Sequence, residues 1–222
     1  MSDPSKGEQE RFGPLLQKWG IHVDSNQARR LDVFLDELEL WNKKINLTGL
    51  SSRQKIVDEL LTDSLLPTPF LPDEGTLLDV GSGAGFPAIP IKICKPRLEC
   101  QLIEPHAKKT HFLKQVIRLA RLDDIEVIQG RMEEKEGALL SKGYDVITSR
   151  AFLPLPGFLT LCAPHLSPGG CMVAFLGGQA ESSIRESADI IGMHRLFPFK
   201  SIPYSLPGKG AKRKILILKK KV

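Results

Sequence analysis

The period of the hydrophobic and polar positions changes near residue 70. Before that point apolar residues recur at spacings of three and four, which is the pattern of one helix face. The clearest set of this kind comprises Leu31, Phe34, Leu35, Leu38 and Trp41. A linker with three prolines and no periodicity follows over residues 67–75, and such a linker marks a boundary between elements. The pattern predicts an N-terminal helical extension over residues 1–70 and a core domain over residues 71–222.

Beyond the linker, short apolar runs alternate with helical stretches. The runs typical of strands cover residues 77–80, 98–103, 125–130, 144–149 and 171–176. The last two apolar runs, residues 194–202 and 214–218, are expected to pair as an antiparallel hairpin. The alternation predicts an α/β fold with a mostly parallel sheet of seven strands and an antiparallel C-terminal strand.

A glycine-rich turn ends the first predicted strand, with the sequence Asp79-Val80-Gly81-Ser82-Gly83-Ala84-Gly85-Phe86-Pro87. Glycine suits a loop that has positive φ or that a ligand approaches closely. The dinucleotide fingerprint G-x-G-x-x-G needs a third glycine where this chain has Phe86, so a nicotinamide dehydrogenase is the weakest reading. Asp79 suits a ligand with a cationic amino or sulfonium group. The turn resembles the first motif of class I methyltransferases, Rossmann-like enzymes that use S-adenosylmethionine.

Other positions at strand ends complete a candidate cofactor site. Glu104 follows the second strand, about 20 residues beyond the loop, where a carboxylate accepts hydrogen bonds from ribose hydroxyls. Met132 and Glu133 follow the third strand and are expected to flank the adenine. The backbone at Gly81 and Gly83 can approach the amino-acid moiety, whereas Phe86 either belongs to the core or covers the ligand.

Composition narrows the class of protein. The 222 residues suit one α/β domain with an appendage, and the formal charge of +5 suits an anionic partner. The sequence lacks an apolar run of about 18 residues and a secretory signal, so we expect a cytoplasmic protein that does not bind membranes. The four cysteines lack C-x-x-C spacing and are expected to be reduced thiols. The histidines lack metal-ligand spacing, and no metal is expected.

The motifs that the sequence lacks argue against some classes of methyl acceptor. Methylation of pyrimidine C5 needs a cysteine nucleophile, usually after proline, and no cysteine here follows a proline. Exocyclic amines are commonly methylated beside an Asn/Asp-Pro-Pro-aromatic motif, where this chain has Ser149-Arg150-Ala151-Phe152. A ring nitrogen such as guanine N7 already carries a lone pair and needs only in-line placement. We therefore assign no catalytic acid or base.

Several segments together resemble one family, the glucose-inhibited division protein B family, also called ribosomal RNA small subunit methyltransferase G. They are residues 41–48, 63–65, 78–87, 130–134 and 149–151, together with Lys108-Lys109 and Phe112-Leu113. The resemblance spans roughly residues 15–220, and its Asn46-Leu47-Thr48 and Ser149-Arg150-Ala151 elements are more specific than the glycine loop. It implies a bacterial enzyme that transfers a methyl group from S-adenosylmethionine to guanine N7 in 16S ribosomal RNA. The cofactor contacts that it implies fall on Gly81, Phe86, Met132, Glu133 and Arg150. We expect Arg150 to lie near the cofactor and the incoming base, and either to offset phosphate charge or to orient the guanine.

The RNA contacts are expected from basic residues near the C-terminal end. The predicted set is Lys209, Lys212, Arg213 and Lys214, grouped in sequence with the tail Lys219-Lys220-Lys221. Lysine and arginine contacts to phosphate provide affinity without sequence choice, although the tail could equally be solvated. Asn46 is also predicted to contact RNA, with a helix-ending turn closed by local hydrogen bonds as the alternative.

Two other functions share the same residues. A methyltransferase of a small molecule or a protein would use the same cofactor site, but its activity would not depend on salt. A protein that binds S-adenosylmethionine and RNA without turnover would never release S-adenosylhomocysteine. We expect the protein to be a monomer that acts on free 16S RNA or on the 30S subunit.

Overall fold

The computed structural model describes residues 16–17, 20–134, 137, 139, 142–150, 152–205 and 212–222. The polar N-terminal segment, Trp19, Ala151 and the basic residue Lys209 lie outside the described residues. In the part of the chain that is described, none of the helices combines the length and the hydrophobicity that crossing a bilayer requires.

Seven strands of the described chain form one sheet in the order β3-β2-β1-β4-β5-β7-β6. Their bounds are β1 Glu74–Val80, β2 Arg97–Glu104, β3 Ile125–Gln129, β4 Tyr144–Ser149, β5 Leu166–Leu176, β6 Leu196–Ser205 and β7 Lys212–Lys220. Strands β1 to β5 pair in parallel, whereas β7 lies between β5 and β6 and is antiparallel to both. The predicted sheet is therefore confirmed, including its antiparallel C-terminal strand.

Helices cover both faces of the sheet. They are α1 Ser25–Ile45, α2 Arg53–Ile56, α3 Thr62–Leu65, α4 Ala88–Cys94, α5 Ala107–Leu119, α6 Leu155–Cys162, α7 Ala180–Glu186 and α8 Ala188–Met193. Helices α1 to α5 contribute to one apolar cluster and α6 to a second cluster on the opposite face. Ser187 separates α7 from α8.

Helix α1 has defined ends that its sequence explains. Asp24 accepts hydrogen bonds from the backbone of Asn26 and Gln27, and the Gln27 side chain accepts one from the Asp24 backbone. This capping box satisfies N–H groups that the first turn leaves unpaired. At the other end Asn46 adopts φ 48°, a left-handed conformation that asparagine tolerates and that stops the helix.

The helical segment that follows α1 contains a π-helical turn. Residues Val57–Leu61 form this turn between α2 and α3, and the Thr62 N–H bonds to the Val57 carbonyl. A π-helical turn is rare and often lies at a functional site because it widens the helix and redirects side chains. Buried Asp63 follows it directly in α3.

The helical segment before β1 packs onto the sheet through aromatic rings. The Phe34 ring lies 5.0 Å from that of Phe86 and 6.5 Å from that of Phe112, and Trp41 lies 5.9 Å from Phe112. Aromatic pairs at these separations bury large apolar areas and add specific geometry. Residues on both sides of the predicted boundary near residue 70 therefore belong to the same hydrophobic cluster.

We expect Phe34→Ala to lower the free energy of unfolding by about 3–5 kcal/mol, because it removes a buried ring that contacts two others. Chemical denaturation would measure the loss. Leu40→Ala is the matched control on the same helix, since Leu40 is 54% exposed and should cost under about 1 kcal/mol. Equal losses in the two variants would contradict the proposed role of the aromatic contact.

Candidate active site

The turn after β1 brings the backbone close to its surroundings. Gly81, Gly83 and Gly85 have φ of 74°, 53° and 84°, which L side chains rarely adopt. A Cβ atom on Gly81 would lie only 2.6 Å from the Phe152 ring. The turn therefore requires glycine at position 81 both for its conformation and for its contact with Phe152.

Hydrogen bonds hold this turn against the end of β2. The N–H groups of Gly81 and Ser82 both donate to the Ile103 carbonyl at 3.0 Å. The Gly83 N–H donates to Glu104 Oε2 at 2.8 Å. The loop and the predicted ribose-binding carboxylate are thus parts of one hydrogen-bonded unit.

Glu104 is buried and already has several partners. Besides Gly83, its Oε1 accepts from the His106 backbone at 2.9 Å and lies 2.7 Å from His106 Nδ1. A carboxylate has about four acceptor positions, so these bonds orient Glu104 and leave capacity for a hydroxyl. Glu104 also lies near a helix N-terminus, because His106 is the N-cap of α5.

Asp79 lies beneath the turn with one oxygen bonded and one unpartnered. The Thr148 hydroxyl donates to Oδ1 at 2.6 Å, while Oδ2 is buried without a hydrogen-bond partner among the described residues. Burial, and to a smaller extent the nearby Glu104 carboxylate, raises the pKa of the Asp79 carboxyl to about 7, against the opposing effect of the hydrogen bond from Thr148. A positive charge above the turn would stabilise the ionised form of this group.

A cleft of about 200 Å³ opens at the carboxyl ends of β1, β2 and β3. Gly81, Met132 and Glu133 line it, as the sequence predicted, together with His106 and Phe152. Met132 is also buried in the core, with its sulfur 3.8 Å from Cys162 Sγ, whereas Glu133 is exposed. The carboxyl edge of a parallel sheet is where ligands bind in this architecture.

Phe86 takes the core alternative that the sequence left open. Its side chain is buried and packs on Phe34. Contact between Phe86 and the cofactor stays a prediction. Because the side chain is buried, the backbone of Phe86 would have to make this contact.

Arg150 follows β4 at the same edge of the sheet, and its guanidinium is held by the helix before β1. Its Nη2 donates to the Glu59 carbonyl at 3.1 Å and to Asp63 Oδ2 at 3.0 Å. The prediction that Arg150 contacts the cofactor is not tested by these bonds. They do place its side chain against α3, which the sequence did not indicate.

Comparison with known proteins adds an independent observation. A family model described as rRNA small subunit methyltransferase G, GidB, matches residues 27–210. The protein named Ribosomal RNA small subunit methyltransferase G in Geobacter sp. is 34% identical over 199 residues, which cover 90% of this chain and 91% of that protein. Its namesake in Neisseria meningitidis serogroup A is 34% identical over 212 residues, covering 96% and 98%.

The chain belongs to the rRNA small subunit methyltransferase G family. The resemblance inferred from short motifs is therefore confirmed across nearly the whole length. Solved structures support the fold: a methyltransferase from Pyrococcus furiosus superposes with a TM-score of 0.59 at 16% identity, covering 88% of this chain and all of that one. TYW2 from M. jannaschii, solved in complex with AdoMet, has a TM-score of 0.59 at 14% identity over 72% and 75% of the two chains.

The residues of the cleft fit S-adenosylmethionine, the cofactor of this methyltransferase family. The orphaned oxygen of Asp79 provides acceptor capacity near a cationic ligand, and the turn leaves no room for a Cβ at Gly81. Glu104 would hold the ribose and the turn after β3 would flank the adenine. Each of these cofactor contacts remains a prediction for the individual residue.

The cysteines are unsuited to nucleophilic catalysis. All four thiols are free, and burial raises the pKa of Cys94 and of Cys100 to about 12 and that of Cys171 to about 11. Burial also raises the pKa of Cys162. The nucleophilic form of cysteine is the thiolate, so these groups do not support the covalent chemistry that pyrimidine C5 requires.

The predicted RNA-binding residues occupy different ends of the sheet. Lys212 pairs with Ser205 and Lys214 with Leu176, at the same edge as the cleft. Lys219 pairs with Cys171 near the start of β5, and the tail lies roughly 25 Å from Lys212 along β7. The expected single basic cluster is therefore divided, and Lys209 lies outside the described residues.

Two of the hairpin residues are engaged in ion pairs. Arg213 Nη1 lies 3.5 Å from Asp63 Oδ2, and Lys214 forms an ion pair with Glu181, whereas Lys212 is exposed. RNA contact by these residues stays a prediction, with Lys212 the most accessible of them.

The Asn46-Leu47-Thr48 element forms the helix-ending turn that was the alternative to RNA contact. Asn46 Oδ1 accepts from the Gly49 backbone at 3.1 Å, and Asn42 Oδ1 accepts from the Thr48 backbone at 2.9 Å. These bonds give Asn46 a structural role. A contact between Asn46 and RNA stays a prediction.

Sequence reasoning left two residues out of the site. The sequence contains a clue to each of them. His106 directly follows Glu104-Pro105, and Phe152 occupies the aromatic position of the exocyclic-amine motif. Neither clue shows that the side chain reaches the cleft. The contact of Phe152, for example, is with Gly81, which lies 71 positions earlier in the sequence.

Gly81→Ala should weaken cofactor binding by at least about tenfold, because the new Cβ meets Phe152 and strains the turn, at a cost of about 1–3 kcal/mol. Calorimetric titration with S-adenosylmethionine would measure the change. Gly177→Ala is the matched control, since a Cβ there meets nothing within 4 Å. Unchanged affinity in Gly81→Ala would show that the cofactor does not use this turn.

Cofactor binding should release a proton near neutral pH. The cationic cofactor favours ionised Asp79, so affinity should rise by about threefold to tenfold between about pH 6 and about pH 8. In the free protein the same raised pKa makes stability fall as pH rises from 3.8 toward about 7, because the folded state holds this proton more tightly than the unfolded chain.

Titrations in buffers of different ionisation enthalpy would count the released protons. Asp79→Asn keeps the size of the side chain and should abolish both the release and the pH dependence. Proton release that persists in Asp79→Asn would assign the linkage to another group.

Proposed function

We propose that this chain transfers a methyl group from S-adenosylmethionine to N7 of a guanine in 16S ribosomal RNA. The family match over residues 27–210 carries this proposal. The site supports it, because Gly81, Met132 and Glu133 line the cleft, and the buried carboxylates of Asp79 and Glu104 lie beside the glycine turn.

The chemistry demands positioning rather than acid–base work. S-adenosylmethionine supplies a methyl group on a positively charged sulfur. The guanine N7 lone pair forms the new bond to that carbon as the carbon–sulfur bond breaks, so that S-adenosylhomocysteine leaves and the guanine ring carries the positive charge. No proton moves in this step, which agrees with a site to which we assign no base. Alignment of the two reacting groups can by itself lower the activation barrier by several kcal/mol.

Arg150 is proposed to orient the guanine or to balance phosphate charge beside it. It lies directly after β4, and a guanidinium carries five N–H donors. It can therefore hold Asp63 and contact the substrate at the same time. Arginine commonly contacts the O6 and N7 edge of guanine, but N7 must stay accessible here, so O6 is the expected partner.

Phosphate contacts are proposed for Lys212, Arg213 and Lys214 at the cleft end of the hairpin, for Lys209, and for Asn46, which is the C-cap of α1. The net charge of +5 supports an RNA partner. We also propose that the protein works in the cytoplasm as a monomer, on free 16S RNA or on the 30S subunit. The four free thiols support a reducing compartment.

The division into a helical extension over residues 1–70 and a core over residues 71–222 is proposed as a functional one. In this proposal the extension completes the site, because α3 holds Arg150. It also supports the core through the Phe34 contacts.

The decisive experiment uses tritiated S-adenosylmethionine with 16S RNA from a strain that lacks this protein, both naked and in 30S subunits. Label on a single guanine, released by the mild chain cleavage specific for N7-methylguanine, is the expected result. Arg150→Ala should lower labelling by at least about 100-fold, to a residual rate that long incubations can still measure, while its melting temperature stays within a few degrees of wild type. Activity should also fall as salt rises, because phosphate contacts are screened.

Other outcomes distinguish the alternatives. Cofactor binding without any S-adenosylhomocysteine would indicate an RNA-binding protein without turnover. Turnover on a small molecule or a protein, indifferent to salt, would indicate another substrate class. Full activity of Arg150→Ala would remove Arg150 from the site.

A further inference from the structure

One buried carboxylate joins three distant parts of the chain. Asp63 Oδ2 accepts hydrogen bonds from Arg150 Nη2 at 3.0 Å and from the Tyr204 hydroxyl at 3.0 Å, and it lies 3.5 Å from Arg213 Nη1. These residues come from the end of β4, the end of β6 and the start of β7. The side chain of Asp63 is only 1% exposed.

This arrangement is not explained by stability. Burying a carboxylate and a guanidinium costs solvation free energy that their attraction only partly offsets, so an apolar cluster of similar size would often be more stable. Asp63 Oδ1 is also buried without a hydrogen-bond partner among the described residues. A carboxylate that is buried at this cost is better explained by a role in positioning neighbouring groups than by a role in stability.

The π-helical turn supplies a second contact for the same guanidinium. Arg150 Nη2 also donates to the carbonyl of Glu59, which lies in that turn, at 3.1 Å. Two acceptors on one helix, four residues apart, restrict both the position and the direction of the guanidinium. In a π-helical turn each N–H bonds to the carbonyl five residues earlier, instead of four as in an α-helix. This turn therefore determines the directions in which the Glu59 carbonyl and the Asp63 side chain face Arg150.

We propose that Asp63 is a positioning residue for methyl transfer, which holds the Arg150 guanidinium in the orientation that the substrate base requires. Tyr204 and Arg213 fix Asp63 from the C-terminal hairpin. This inference rests on the proposed function, since that function places Arg150 beside the base. Asp63 acts through Arg150 and does not itself touch the substrate, because its carboxylate is buried and does not line the cleft.

Steady-state kinetics on 30S subunits would test the proposal with wild type, Asp63→Asn, Tyr204→Phe, Arg150→Ala and the double variant Asp63→Asn/Arg150→Ala. Asp63→Asn should lower kcat about 10- to 100-fold, the order expected when a reacting group is misplaced by about 1 Å. The Kd for S-adenosylmethionine should change less than about threefold. Tyr204→Phe should lower kcat in the same direction and by less. The double variant should match Arg150→Ala alone, since Asp63 acts through that residue.

Asp145→Asn is the matched control. Its carboxylate is hydrogen-bonded to the Thr76 backbone at 2.8 Å and to the Thr76 hydroxyl at 3.0 Å, near the start of β1 and far from the cleft. Asp145→Asn should lower the melting temperature and leave kcat within about twofold of wild type.

A readout independent of activity follows Arg150 itself. Phenylglyoxal modifies accessible arginines, and peptide mass spectrometry gives the rate at each position. Modification of Arg150 should be several-fold faster in Asp63→Asn than in wild type, whereas Asp145→Asn should leave the rate unchanged. The modification rates can be compared even if the wild-type protein proves inactive on 16S RNA. That result would contradict the proposed function but not the role of Asp63 in holding Arg150.

Three results would overturn the inference. They are a kcat of Asp63→Asn within twofold of wild type, a double variant in which the two losses multiply, and an unchanged rate of Arg150 modification. If Asp63→Asn does not fold, the Tyr204→Phe and Tyr204→Phe/Arg150→Ala pair gives the same comparison, because the loss of one hydroxyl leaves the packing intact.

Discussion

The close approach of two backbone segments, the turn after β1 and the end of β2, is the constraint on which the rest of the site depends. Two N–H groups of the turn share the Ile103 carbonyl, and a third N–H bonds to Glu104. The same turn touches Phe152 after β4. Three strand ends are therefore held together by contacts that a Cβ at Gly81 would prevent, and the cleft exists only while these contacts persist.

The segment before β1 adds the part of the site that the sheet lacks. Its aromatic residues pack on the core, while its π-helical turn and α3 hold Arg150. The sheet edge thus provides the cofactor cleft, whereas the orientation of Arg150 is determined by α3 and the hairpin. A fold shared with proteins of low sequence identity is adapted here by a segment outside the sheet.

Much of the fold and part of the site could be predicted from local pattern. Strand composition, the glycine turn and the place of Glu104 depend on neighbours in sequence, and the structure agrees with them. The burial of Phe86 and the bonds of Asp63 could not be predicted, because their partners lie far away along the chain. The basic residues were grouped by sequence, but an extended strand separates Lys212 from Lys219.

The interior place of β7 has a consequence for synthesis on the ribosome. Strand β7 pairs with β5 on one side and β6 on the other, yet it is the last of the seven to be translated. Until residues 212–220 have left the exit tunnel, β5 presents an unpaired edge and β6 has no neighbour in the sheet. An exposed edge of this kind pairs readily with other chains. The nascent protein is therefore prone to aggregation until β7 has emerged, and a premature stop before this strand removes an interior strand of the sheet.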